Sequence, residues 1–141
     1  MTYLLDTNAL VGILRKEPAT IRRAREAGLS GKACVSFISV GELLGGVYAT
    51  KSLARRAGEV RQVMELLTER VGLILTIDAA IADRFGQIDA HLRARGSLIP
   101  HNDIWIAATA LVHDLVLVSE DAHFARVPEM KVENWAAEPG I

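Results

Sequence analysis

Short apolar runs alternate with amphipathic segments along the whole chain. Runs of strand length predict strands at Thr2–Leu5, Ala33–Ile38, Leu73–Ile77, Leu115–Val118 and, more weakly, Lys131–Glu133. The intervening periodicity predicts helices at Thr7–Leu14, Pro18–Gly28, Ser39–Tyr48, Lys51–Arg70, Asp78–Arg95, after Asp103 and, as a short turn, at Ala122–Arg126. The strands are uniformly apolar, which is typical of a parallel sheet that is buried on both faces. The pattern therefore predicts an α/β fold, with a central parallel sheet flanked by helices on both faces.

The composition fits one globular domain. The chain has 141 residues, of which 50% are hydrophobic and 23% charged, so we expect a folded core and no extended disorder. The apolar stretch Ile104–Val112 is too short to cross a bilayer. No basic segment precedes the first apolar residues, and Asp6 interrupts them, so no signal peptide is expected. Cys34 is the only cysteine, which fits a reducing, cytoplasmic location and a packing role in a strand.

Charge is unevenly distributed although the net charge is only −1. Basic residues dominate between Arg15 and Lys32 and again between Lys51 and Arg61, whereas acids dominate after Asp114. A basic helical surface beside an acidic pocket would suit a phosphate backbone held near metal ions. For any single arginine, a solvated helix face of mixed charge is the more common explanation.

Four acidic side chains stand where an apolar run gives way to a turn or a helix. They are Asp6, Glu42, Asp103 and Asp121. If the strands are neighbours in one parallel sheet, their carboxyl ends meet at one edge and these carboxylates converge. Clustered carboxylates cannot all stay ionised unless a cation lies among them. The constellation therefore predicts a metal-dependent enzyme.

Each acid also has a simpler explanation as a helix cap. The candidates are Asp6 before the first helix, Glu42 in the capping box Ser39-x-x-Glu42, Asn102 or Asp103 before the next helix, and Asp121 before the short turn. For one isolated aspartate, capping is the better interpretation. Four acids that follow buried segments weaken it, and the two roles can coexist because a helix N-terminus keeps a carboxylate ionised.

The predicted ligand set consists of hard oxygen atoms. No cysteine or histidine cluster has zinc spacing, so Mg²⁺ or Mn²⁺ is favoured over Zn²⁺. Such ions assist in-line attack on a phosphoryl group. The side chains of Thr7, Asn8 and Ser119 lie beside the acids and could orient a ligand, or could merely satisfy turn backbone. Asp78, Asp83, Asp89 and Glu120 are interpreted as surface or capping acids.

Four successive motifs resemble those of PIN-domain nucleases, and within that family the VapC toxins of toxin–antitoxin pairs. The motifs are Leu4-Leu5-Asp6-Thr7-Asn8, Ser39-x-x-Glu42-Leu43, Pro100-x-Asn102-Asp103 with the apolar segment after it, and Ser119-x-Asp121-x-His123-Phe124. The resemblance covers essentially the whole chain in order. Ser119 departs mildly from the pattern, since many relatives have threonine there.

The resemblance implies a Mg²⁺- or Mn²⁺-dependent endoribonuclease acting on structured RNA, such as tRNA or rRNA. Asp6 and Asp103 would be the principal metal ligands, Glu42 and Asp121 would complete the acidic set, and Thr7 and Ser119 would supply supporting hydroxyls. It also implies a homodimer held by a cognate VapB-like antitoxin, commonly through an inserted arginine or a blocking segment. The PIN-like domain would span residues 1–135, with 136–141 as a frayed tail.

Other functions and roles remain open at this level. A receiver domain would need paired acids after the first strand, and an aspartyl phosphotransferase would need an acid at position 8, which is Asn8. A non-catalytic PIN-like RNA-binding domain would be marked by a missing acid, and none is missing. His123 is interpreted as structural rather than catalytic, and Trp105 as a core or dimer contact rather than a base-stacking residue.

Overall fold

The computed structural model describes residues 3–28 and 32–137. Within these ranges the strands are β1 Tyr3–Leu5, β2 Ala33–Ser36, β3 Leu73–Leu75, β4 Val116–Val118 and β5 Val132–Glu133. The helices are α1 Thr7–Leu14, α2 Pro18–Glu26, α3 Phe37–Tyr48, α4 Leu53–Glu65, α5 Ala79–Ala94 and α6 His101–Val112. A π-helical turn, Leu66–Arg70, follows α4, and a 3₁₀ turn, Ala122–Arg126, follows β4.

The strands form one parallel sheet in the order β3-β2-β1-β4-β5. The central strand, β1, pairs with β2 on one side and with β4 on the other, so Leu5 lies level with both Val35 and Val118. Residues 113 or more positions apart in sequence therefore meet at the carboxyl edge of the sheet. The predicted α/β fold with a parallel sheet is confirmed.

Two hydrophobic cores cover the two faces of the sheet. Leu4 and Leu117 point into the core formed with α5 and α6, which also contains the fully buried Phe124. The next residues along the same strands, Leu5 and Val118, point into the core on the opposite face. Successive strand residues face opposite sides. Burial on both faces therefore explains why these strands are continuous apolar runs.

The boundary between β2 and α3 differs from the prediction. Phe37 and Ile38, predicted as strand, belong to the first turn of α3, because Ser36 caps the helix and its hydroxyl accepts the Ile38 N–H at 3.1 Å. Ser39 is consequently inside the helix and buried. The capping-box explanation of Glu42 was wrong.

Other element ends agree more closely with the sequence. Asp78 caps α5 through the Ile81 N–H at 2.9 Å, and Gly96 follows the helix with a positive φ of 61°.

The start of α6 differs from the prediction. Helix α6 begins two residues before Asp103 and is preceded by Pro100, so neither Asn102 nor Asp103 is its cap.

The predicted helix Lys51–Arg70 begins at Leu53 and changes to π-helical geometry at Leu66. Along this helix the Val63 side chain is buried, while the side chains of Leu53 and Met64 are exposed. Cys34 is buried in β2, as its packing role requires.

Some predictions fall on residues that the structure does not describe. Of the predicted tail, residues 138–141 lie outside the described residues, as does Thr2 of the first predicted strand. Within the described ranges, every helix is too short or too polar to span a membrane.

Candidate metal centre

The first part of the site lies where the two central strands end. Asp6 directly follows β1 and Ser119 directly follows β4, and the Ser119 hydroxyl donates a hydrogen bond of 2.7 Å to Asp6 Oδ2. The Asp6 side chain is buried, with 5% of the residue exposed. Asp6 occupies the N-cap position of α1, but its carboxylate makes no capping hydrogen bond. The simpler interpretation of Asp6 as a cap was therefore wrong.

Asn8 connects the two strand ends. Its amide nitrogen donates to Asp6 Oδ2 and to the Ser119 hydroxyl, both at 3.2 Å, and its amide oxygen accepts the backbone N–H of Glu120 at 3.2 Å. The Ser119 hydroxyl also accepts the backbone N–H of Asp121 at 3.0 Å. Asn8 and Ser119 therefore fix both the Asp6 carboxylate and the turn that carries Asp121.

The second part of the site joins the start of α6 to the turn after β4. His123 Nδ1 lies 2.9 Å from Asp103 Oδ2 and 3.2 Å from Asp121 Oδ1. One potential ligand atom from each of these three residues lies within 4.8 Å of the other two. Asp121 also accepts the His123 backbone N–H at 2.9 Å, so it caps the 3₁₀ turn as the simpler interpretation predicted. Capping and membership of the acidic group coexist at this residue.

All four predicted acids line one cleft of about 360 Å³. Glu42 reaches the cleft from α3 and accepts a 3.0 Å hydrogen bond from the Thr7 hydroxyl. Thr7 and Asn8 line the cleft as well, whereas Ser119 contacts the cleft residues Asp6, Asn8 and Asp121 without lining it. The structure thus brings together every site residue that the sequence predicted.

Burial and mutual repulsion raise the pKa of two of the carboxylates, Asp6 and Asp103. Burial is the main cause that raises the pKa of Asp6 from 3.8 to about 6; the Ser119 hydroxyl opposes the rise, and Asp103 and Glu42 add to it. Burial also raises the pKa of Asp103, against the His123 hydrogen bond and together with the negative charge of Asp121. A divalent cation in the cleft would offset both effects.

The donor set fits such a cation. Asp6, Glu42, Asp103 and Asp121 offer carboxylate oxygens, which Mg²⁺ and Mn²⁺ prefer, and His123 offers one nitrogen beside them. The surroundings of Asp6 also fit a cation, because the side chains that donate to its carboxylate among the described residues, Ser119 and Asn8, are both neutral.

Sequence reasoning missed some residues of the site. His123 was interpreted as structural, yet its ring contacts two carboxylates; the spacing Asp121-x-His123 was the available signal. Arg15, Glu17 and Glu120 also line the cleft. Glu120 is exposed, as expected of a surface acid.

Trp105 is half-buried against the core and stacks on Phe85, with ring centroids 4.0 Å apart, so its predicted packing role is confirmed. Asp78 caps α5 and Asp83 accepts a hydrogen bond from the exposed Gln87, in agreement with their predicted capping and surface roles.

Known proteins resemble the chain over nearly its whole length. A family model described as "PIN domain" matches residues 3–130. The chain is 36% identical over 136 residues to Ribonuclease VapC2 of Haemophilus influenzae, covering 96% of this chain and 98% of that protein. It is 32% identical to the tRNA(fMet)-specific endonuclease VapC of Salmonella typhimurium, with the same coverage.

Solved structures agree with this similarity. The fold superposes with a TM-score of 0.80 on a chain of VapBC-1 from nontypeable Haemophilus influenzae, at 31% identity, covering 97% of this chain and 100% of that one. The TM-score is 0.83 against VapBC2 from Rickettsia felis bound to a DNA fragment from its promoter, at 26% identity and with coverage of 96% and 99%.

Proposed function

We propose a specific reaction for this chain, which belongs to the PIN-domain family and is a ribonuclease of the VapC type. It cuts structured RNA such as tRNA or rRNA by Mg²⁺- or Mn²⁺-dependent hydrolysis. The catalytic set would be Asp6, Glu42, Asp103 and Asp121. Nucleases of this family use divalent metal ions, and a bound ion would neutralise charge on the phosphate and make an attacking water more acidic.

The observation that carries the proposal is the convergence of four carboxylates from distant parts of the chain on one cleft. A folded protein does not gain stability from burying Asp6 beside Asp103 and Glu42, since these neighbours raise its pKa. An arrangement that lowers stability at neutral pH is typical of a functional site. This is the physical argument for a metal-binding role rather than a structural one.

The surrounding side chains hold these carboxylates in place. Ser119 and Asn8 both donate to Oδ2 of Asp6, which orients the carboxylate. Thr7 orients Glu42 in the same way. His123 Nδ1 lies within hydrogen-bonding distance of both Asp103 Oδ2 and Asp121 Oδ1, which fixes the separation of this pair. We interpret Thr7, Asn8, Ser119 and His123 as positioning residues.

The proposed biological role is that of a toxin restrained by a protein partner. Relatives of known structure are VapBC assemblies, which supports a VapB-like antitoxin as the partner of this chain. A homodimer as its working form is part of the proposal and rests on the resemblance of the sequence motifs alone. RNA cleavage and toxicity are separate claims. Growth arrest on expression without the partner, absent for Asp103→Asn, would support the toxin role.

The nuclease proposal is tested by incubating purified protein with total tRNA and with rRNA. We expect cleavage with Mg²⁺ or Mn²⁺, loss of cleavage in EDTA, and a fall of at least a hundredfold for Asp6→Asn and Asp103→Asn. Asp83→Asn is the matched control, because Asp83 is exposed and its carboxylate accepts a hydrogen bond only from Gln87 among the described residues. Cleavage by Asp6→Asn at the wild-type rate would refute the assignment. A non-catalytic RNA-binding domain would instead shift RNA in a gel without cutting it.

A further inference from the structure

Arg15 is the one basic side chain among the ten described residues that line the acidic cleft, six of which are acids. It immediately follows α1, and the chain then turns through Lys16, which has a positive φ of 56°. Arg15 is exposed, and its guanidinium makes no hydrogen bond or ion pair with any residue in the described part of the chain. In the described fold, its charge is therefore not held by any direct contact.

A second depression continues from the cleft at this arginine. This groove, of about 470 Å³, lies between α1, α3 and α4 and shares Thr7, Val11, Arg15 and Glu42 with the cleft. Its floor is formed by apolar side chains, which are Val11, Leu14, Leu43, Val47 and Val63. Arg15 stands where the two depressions join.

The charges of the groove differ from those of the cleft. Besides the shared Glu42 and Arg15, the groove has Arg55 and Glu59, which pair with each other at 3.4 Å. An RNA strand carries one negative charge at each phosphate, which an unpaired arginine can bind. The aliphatic floor of the groove offers van der Waals contact to the face of a base. A groove with an apolar floor and an unpaired arginine at its entrance matches one nucleotide.

We propose that Arg15 holds a phosphate next to the one that is cut, and that the RNA strand passes over Arg15 from the cleft into the groove. The inference rests on the proposed nuclease function and adds to it the path that the RNA strand takes across the protein surface. The acidic cleft needs such a residue, because its carboxylates repel every phosphate that a bound cation does not neutralise. Arginine suits the task, since its planar donors bind a phosphate in a bidentate manner.

The test compares Arg15→Gln and Arg15→Lys with wild type, using bulk tRNA, initial rates and saturating Mn²⁺. We expect Arg15→Gln to raise the apparent KM roughly tenfold or more with little change in kcat, because a charge-assisted contact to substrate is lost. Arg15→Lys should recover most of the loss. Arg61→Gln is the matched control, because Arg61 is exposed on α4 and lines neither the cleft nor the groove.

Salt dependence provides a readout that a structural role would not change. In labelled-tRNA binding with the inactive Asp103→Asn background, Arg15→Gln should reduce the slope of log affinity against log salt by about 1. An unchanged melting temperature should accompany this result.

Wild-type kinetics and an unchanged salt slope in Arg15→Gln would overturn the inference and leave the nuclease function standing. A loss that affects only kcat, or only the affinity for a protein partner, would also overturn it. No RNA cleavage by the wild type would remove both proposals.

Discussion

The buried carboxylate of Asp6 should make the metal-free protein less stable at neutral pH than a variant without the charge. Asp6 is 5% exposed, and burial raises its pKa from 3.8 to about 6. A rise of this size corresponds to about 3 kcal/mol of stability that is lost when the group ionises in the folded state. Asp6→Asn keeps the shape and an oxygen that accepts from Ser119, but removes the charge.

The pH range follows from the direction of the shift. Between about pH 4 and pH 6 the folded state keeps the Asp6 proton, whereas the unfolded chain, with a pKa of 3.8, releases it. The folded state binds more protons in this range, so its stability falls as pH rises through it and the loss is complete above about pH 6. This contribution is absent in Asp6→Asn.

The measurement is urea denaturation in EDTA at several values between pH 4.5 and 7.5. At pH 7.5 we expect Asp6→Asn to be about 1–3 kcal/mol more stable than wild type, with part of the gain lost because the hydrogen bond from Ser119 is no longer charge-assisted. The difference should shrink toward pH 4.5. Asp83→Asn, which removes an exposed carboxylate, should change stability by less than about 0.5 kcal/mol at any of these values.

Added Mg²⁺ or Mn²⁺ should make the wild type more stable than Asp6→Asn at pH 7.5. An ion that binds only the folded state stabilises it by about 2.7 kcal/mol at a hundred times its Kd, and the variant has lost a ligand. The reasoning would be refuted if wild type were the more stable protein at pH 7.5 in EDTA, or if the difference between the two did not vary with pH.

Four further variants test the packing and the hydrogen bonding of the fold. Gly12→Ala should destabilise by about 1–3 kcal/mol in urea denaturation, because a Cβ there would lie 3.0 Å from a side-chain oxygen of α2; Gly58→Ala, with open space around it, should instead stabilise by about 0.5–1 kcal/mol. Ser119→Ala should destabilise the metal-free protein by about 1–3 kcal/mol at pH 7.5, since the buried Asp6 loses its shortest hydrogen bond; equal stability would contradict this. Phe124→Ala should cost about 3–5 kcal/mol in the same assay, because the ring is fully buried.

The convergence of acids was predictable because it depends on simple geometry. Continuous apolar strands imply a parallel sheet, and parallel strands end at one edge, so Asp6 and Asp121, which follow β1 and β4, meet there. Glu42 and Asp103 lie within helices and reach the cleft from α3 and α6. The strand order was not predictable. The contact between Asp6 and Ser119 exists because β1 pairs with β4, and no local pattern encodes that pairing.

The errors occurred where local signals compete. Phe37 and Ile38 are apolar residues that continue the β2 run, and only the capping hydrogen bond of Ser36 shows that the helix has begun. His123 was predicted to be structural because a histidine beside the buried Phe124 resembles a core residue, and its contact with two carboxylates was not predicted. Its ring is directed to the acids by the turn that Asp121 caps, which is a tertiary effect.

The pairing of β1 with β4 also determines when the acidic site can form during synthesis of the chain. The hydrogen bond from Ser119 to Asp6 joins residues 113 positions apart, and Asp121 and His123 leave the ribosome only when most of the chain has been made. A nascent chain that stops before β4 has one edge of β1 uncovered and lacks Asp121, one of the four acids, together with Ser119 and His123. We therefore expect the site to be assembled only after β4 and the turn that follows it have been synthesised.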